Sequence, residues 1–349
     1  MLAFACPVCA HLVTFESVRC LHCSSRLAYD PRARTIGAIS DGEAGDGLLC
    51  VNARLASCNW LAPEAGALCA SCSLTRTRPN DRDADGLGGF ARAEAAKRRL
   101  LFELTDLGLP VESWRERDGG LAFDLLSSAS EPVSTGHADG LITLDLAETD
   151  PARREPLRVA LGESYRTVLG HLRHEIGHYY QPVLVPPDSE AEPAMRELFG
   201  DERADYKAAL RAHYSSGPTA DWQQRYVSAY ATMHPWEDWA ETFAHYLHIR
   251  DTLQTAAAYG VVVEGPAFAT ADEAPLESDP AAAEGDSIAR MLAAWIPLTF
   301  ALNAISRSMG AQDTYPFVLA PAAMRKLEFV GRTIERASLE PVGQRPQRR

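Results

Sequence analysis

After Cys72 the chain has no cysteine, and its 349 residues include only three lysines, Lys97, Lys207 and Lys326. The first absence excludes a disulfide framework for everything beyond the N-terminal fifth. The second leaves arginine as almost the sole cation. With a formal net charge of −13 and no basic cluster to offset it, a phosphate backbone or an anionic bilayer is a disfavoured partner. No lysine or arginine at all occurs from 251 to 289. The N-terminus, MLAFACPVCAHL, lacks the basic start and long apolar run of a secretion signal and places cysteines where such a run would lie. A cytoplasmic location is therefore expected. The longest apolar run, 291–305, is short for a bilayer span and contains Pro297 and Asn303. It reads as a buried helix, kinked or broken near the proline, with no membrane role. What the chain does have is 46% apolar residues, enough for a sizeable core and, at this length, for two globular units with a helical extension.

All eight cysteines fall within the first 72 residues. Cys6, Cys9, Cys20 and Cys23 form C-x2-C-x10-C-x2-C, in which each close pair makes a tight turn that aims two thiolates at one ion. Cys50, Cys58, Cys69 and Cys72 read C-x7-C-x10-C-x2-C, looser in the first pair and standard in the second. Two structural tetrathiolate zincs are expected, since a cytosolic chain disfavours disulfides. His11 and His22 stand beside the cysteines and could replace a thiolate, but the cysteines already divide into four and four. A ribbon this small cannot hold a core alone, so metal would supply much of its folding free energy. Residues 1–75 hold five arginines against six acidic residues, which gives nucleic-acid binding little electrostatic support. A protein partner for the ribbons is the remaining binding role. The ribbon module is expected over 1–78.

Beyond a polar stretch, Ala96, Leu100, Leu101, Leu104 and Leu107 recur at helical spacing until Gly108 and Pro110 end the pattern. Residues 121–126 and 141–146 (LITLDL) read as strands, with an Asp-Gly turn in the GHADG between them. From Gly162 the pattern turns helical. ESYRTVLGHLRHEIGHYY predicts a helix over about 162–180, and HPWEDWAETFAHYLHIRDTLQTA another over about 235–257. The acidic 260–286 stretch reads as a linker or lid, and residues 287–340 as C-terminal helices packed on the domain before it.

In RHEIGHYY, His174 and His178 are four apart and share a helix face, so both imidazoles can reach one ion, with Glu175 beside them. That pattern suits a zinc-activated water whose proton Glu175 takes as general base. Three ligands are needed, and the glycine and histidine of a metzincin continuation are absent from HYYQPVLVPP. Downstream, Glu237 and Glu241 lie one turn apart, with alanines that allow close helix packing. His245 and His248 follow on the next turns and could serve in place of Glu237. His171, one turn before His174, is a further candidate.

HExxH followed by E-x-x-A-E resembles the gluzincin class of zincin metallopeptidases. The resemblance implies Glu237 as third ligand and Glu241 as the acceptor that fixes a ligand imidazole's tautomer. The twin ribbon, CNWL, GLITLDLAE, YRTVLGHLRHEIGHYY, FGDERADY and HPWEDWAETFAHYLH together resemble a bacterial family of zinc-binding metallopeptidases with an N-terminal zinc ribbon. That likeness covers nearly the whole chain, from Cys6 to about Ala257, and implies a zincin fold. Zincins set an edge strand beside the active-site helix, and LITLDL is the candidate here. Tyr230 or His234 could donate to an oxyanion.

The expectation is thus an α/β (α+β), helix-rich zincin-like domain over 88–259 behind a small double zinc ribbon. It would carry one catalytic and two structural Zn2+ ions and hydrolyse a peptide or protein substrate. The alternative is a non-catalytic, zinc-stabilised scaffold that binds a protein partner through its ribbons.

Overall fold

The computed structural model describes residues 1–40, 48–129, 131–154, 167–265, 277–283 and 287–339. By compactness the chain forms two units. The first holds Met1–Asp106, Pro110–Gly162 and Arg166–Leu172; the second holds Leu107–Leu109, Glu163–Tyr165 and Arg173–Arg349. The ribbon residues therefore share a unit with the helix and sheet that follow them.

In the first unit the ribbon region holds two antiparallel hairpins, β1 (Phe4–Ala5) with β2 (Leu12–Val13), and β3 (Leu27–Asp30) with β4 (Thr35–Ala38). Strands this short cannot stabilise themselves, and an aromatic cluster supports them. Phe15 lies 4.9 Å from Tyr29 and 5.1 Å from Phe102, and Tyr29 lies 5.0 Å from Trp60. Phe102 belongs to helix α1 (Ala84–Asp106), whose Leu100, Leu101 and Leu104 are also buried. The predicted helical spacing is found there, and the helix stops before Gly108.

A four-stranded sheet completes the unit in the order β5-β6-β8-β7, from β5 (Thr75–Thr77), β6 (Ala122–Leu126), β7 (Gly136–Ala138) and β8 (Leu141–Asp145). The first three pair in parallel, and β7 returns antiparallel to β8. The Asp-Gly turn closes that hairpin, with positive φ at Asp139 (46°) and Gly140 (83°). A Cβ on Gly140 would stand 2.3 Å from the carbonyl oxygen of Gly119, so no other residue fits. The expectation that LITLDL forms a sheet edge is corrected here. Strand β8 is paired on both sides, by β6 and β7, so its backbone groups are committed within the sheet.

Helix α2 (Val168–Leu184) begins with the last residues of the first unit and continues in the second. The start expected near 162 falls in 155–166, outside the described residues. There follow α3 (Glu192–Phe199), α4 (Tyr206–Ser216), α5 (Pro235–Ala258), a short α6 (Pro280–Ala283), α7 (Ile288–Ser308) and α8 (Pro321–Leu339). Helix α5 is central, with Trp239, Ala240, Phe243 and Leu247 buried. Pro235 opens it, where a missing N–H costs nothing. Helix α8 packs on α5, and its Lys326 ammonium pairs with buried Asp238 at 2.5 Å.

The apolar run around Pro297 forms a longer helix than expected, 21 residues, unbroken through the proline. By length and composition α7 could cross a membrane. Its Leu292, Trp295 and Leu298 are buried, while Phe300 and Ile305 are exposed. Of the acidic stretch, strands β9 (Val263–Glu264) and β10 (Glu277–Ser278) pair antiparallel; residues 266–276 and 284–286, where a linker or lid was expected, lie outside the described residues.

Candidate metal centre

Helix α2 carries His174, Glu175 and His178, and α5 carries Glu237 and Glu241. Trp239 Nε1 donates to the Gly177 carbonyl at 3.0 Å and ties the two helices together. Between them His174 Nε2, His178 Nε2 and Glu237 Oε2 form a triangle with edges of 3.1, 3.0 and 3.4 Å. Ligands about 2.0–2.1 Å from a tetrahedral zinc stand roughly 3.3 Å apart, so this buried donor set fits that ion.

Further side chains hold the triangle in place. Glu241 Oε1 lies 2.7 Å from His174 Nδ1, which orients the imidazole with Nε2 inward. The other oxygen of Glu241 accepts from Ser228 Oγ at 2.5 Å, and that hydroxyl accepts from the Ala231 amide. Tyr206 Oη donates to Glu237 Oε1 at 2.9 Å. The Trp236 ring lies 4.3 Å from that of His178, and the Tyr230 ring 5.9 Å from that of His174.

The electrostatics favour positive charge at this point. Burial works against a charged His174, but the carboxylates of Glu237 and Glu241 outweigh it and raise its pKa well above the ordinary value. Burial likewise opposes ionised Glu237 and Glu241, yet their histidine contacts hold both below the usual carboxylate range, Glu241 at about 2. Buried Glu237 and half-buried Glu241 are thus both kept ionised, so the pocket presents two carboxylate charges beside its histidines. Glu175 is buried, and its charge helps to raise the Tyr206 pKa, behind burial, Glu237 and the Glu237 hydrogen bond.

The other candidates are placed elsewhere. His171 Nδ1 lies 2.9 Å from Glu148 in the first unit. His245 Nδ1 meets the Tyr315 hydroxyl at 2.6 Å, and His248 Nδ1 meets the Arg173 guanidinium at 3.3 Å, so neither replaces Glu237 in the triangle. His234 caps α5: Nδ1 accepts from the Trp236 amide, and Nε2 faces the Ala204 carbonyl. With both ring nitrogens on backbone, it has none left for an oxyanion. Sequence reasoning missed Ser228, for which no local signal exists, and Tyr206, although FGDERADY contained it.

The cysteines gather as two separate fours. Cys6 and Cys23, Cys9 and Cys20, and Cys58 and Cys69 each have sulfurs 3.6 Å apart, close to the roughly 3.8 Å edge that Zn–S bonds of about 2.3 Å require. In the first four, Cys9 and Cys23 are half-buried; in the second, all are buried. The imidazoles of His11 and His22 stack with centroids 3.4 Å apart, and each offers a ring nitrogen within 4.8 Å of the Cys9 sulfur. Helix α1 supplies the second four with charged neighbours: Lys97 pairs with buried Glu94 at 2.6 Å, Cys72 Sγ lies 3.5 Å from Glu94 Oε2, and the Arg98 guanidinium donates to the Ala56 and Ser57 carbonyls.

Fold and site together define a zinc-ribbon protein with a helical domain in which His174, His178 and Glu237 could hold a metal ion. Residues 87–333 match the family model described as "Putative zinc-binding metallo-peptidase", and residues 3–83 match one described as a zinc-ribbon domain. The chain belongs to that zinc-binding metallo-peptidase family. It is 49% identical over 338 residues to uncharacterized proteins of Mycobacterium bovis and Mycobacterium tuberculosis, covering 96% of each chain. No solved structure matches.

Proposed function

We propose that the protein is a zinc peptidase of gluzincin type, with His174, His178 and Glu237 holding the metal and Glu175 acting as general base. The triangle of two imidazoles and one carboxylate oxygen on α2 and α5 carries this reading. Zinc held there supplies Lewis acidity, which lowers the pKa of water and polarises a carbonyl. Glu175 takes the proton of the attacking water and returns it to the leaving amine. Glu241 and Ser228 keep His174 in one tautomer. Tyr230, beside His174, is the candidate donor to the developing oxyanion. The substrate class is peptide or protein, and the ribbons are available to a protein partner. The reading carries a cytoplasmic location, where thiolates stay reduced and able to bind zinc.

The test is zinc per chain on protein purified without added metal, for the wild type and His174→Ala, followed by a peptide-library screen with Glu175→Gln as control. Three zincs falling to two in His174→Ala, with turnover abolished but the third zinc kept in Glu175→Gln, is the expected result. Two zincs in both proteins, with added zinc failing to fill a third site, would leave the scaffold reading in its place.

A further inference from the structure

The Glu237 carboxylate treats its two oxygens differently. Oε2 forms a corner of the ligand triangle, 3.0 Å from His174 Nε2 and 3.4 Å from His178 Nε2, while Oε1 accepts from the Tyr206 hydroxyl at 2.9 Å. A carboxylate left to itself is symmetric and can turn either oxygen, or both, toward a cation. We propose that Tyr206 is a positioning residue that fixes which oxygen of Glu237 is offered to the metal, and that helix α4 serves to carry it there.

The build of α4 supports this. A surface helix ordinarily buries an apolar stripe. No residue of α4 is buried, so core packing does not explain its place. Four of its residues, Tyr206, Ala209, Leu210 and His213, are half-buried, and two of these, Tyr206 and His213, lie against rings beside the metal centre. The Tyr206 ring lies 5.3 Å from that of His234 and 6.1 Å from that of Trp236, and the His213 ring stands edge-on to Tyr230 at 5.9 Å. Tyr206 is the first residue of the helix, and the Asp205 side chain accepts from the Ala208 amide, so the start of α4 is fixed where the phenol must point.

The inference rests on the ligand set of the peptidase reading, and one titration separates their failures. In the full chain, with both ribbons loaded, dipicolinate empties the third site, which is then refilled with zinc or cobalt(II) for Tyr206→Phe, Tyr214→Phe and the wild type. Tyr206→Phe is expected to bind the third metal about 10–100-fold more weakly and to change the intensity of the cobalt visible band, with ribbon zinc and circular dichroism unchanged. Tyr214→Phe, on the same helix but exposed, should match the wild type. In a Glu237→Gln background, Tyr206→Phe should cost no further affinity. Wild-type affinity and spectrum in Tyr206→Phe, or full additivity with Glu237→Gln, overturns the inference and leaves the peptidase reading standing. A wild type that takes up no third metal overturns both.

Discussion

Gly177 and Ala240 meet where α2 and α5 pack: a Cβ on Gly177 would lie 3.0 Å from the Ala240 Cα and 3.1 Å from its carbonyl oxygen. Two small residues at that point let the helices approach closely enough for His174 and His178 to reach Glu237. The glycine inside HEIGH is thus a packing residue at the contact of α2 with α5.

Gly177→Ala should push the helices apart by a few tenths of an ångström. Overpacking costs about 1–3 kcal/mol. The better helix propensity of alanine returns about 1 kcal/mol. The larger effect is expected on the metal, whose third-site affinity should fall about tenfold or more because ligands must be held to about half an ångström. Chelator competition measures it, and unchanged affinity would show that the contact does not set the triangle.

The link from Ser228 through Glu241 to His174 predicts graded losses. Glu241→Ala removes the acceptor at His174 Nδ1 and should weaken third-site zinc about 100-fold, and Ser228→Ala, one step further out, about 10-fold. Zinc content of the ribbons should not change in either variant. Equal effects from the two would argue against a chain of positioning contacts.

The two cysteine clusters should differ in reactivity. Cys9 and Cys23 are half-buried, whereas Cys50, Cys58, Cys69 and Cys72 are all buried. A thiol reagent with a zinc indicator should therefore release zinc in two phases, the fast one from the first ribbon. Cys9→Ser should abolish only the fast phase. A single phase would mean that the ribbons open together.

Stability should decline in mild acid. Burial lowers the His245 pKa to about 4 and the His248 pKa to about 3, against about 6.5 for an unfolded histidine. Between those values the unfolded chain binds more protons than the native one, so stability is fully present above about pH 6.5 and is lost as pH falls through the window. Each group contributes at most about 1.4 kcal/mol per pH unit. Urea midpoints at pH 7.5 and 5 measure the slope, which His248→Gln should reduce; an equal slope in both proteins would exclude His248 as a source.

Short-range geometry was legible in the sequence. The CxxC pairs and the four-residue spacing of His174 and His178 depend only on local turns and on 3.6 residues per helical turn, which the chain sets within a few residues. The Asp139-Gly140 turn and the end of α1 before Gly108 were legible for the same reason, whereas the strand β7 that precedes the turn was not. Tertiary structure decided what no local rule reaches. It made β8 an interior strand, because β7 pairs beside it. It turned His234 to the backbone as a helix cap and brought Ser228 and Tyr206 to carboxylates on another helix. It also chose Glu237 over His245 and His248 as partner for the α2 histidines, because rotation about α5 is fixed by packing such as Gly177 against Ala240 rather than by periodicity.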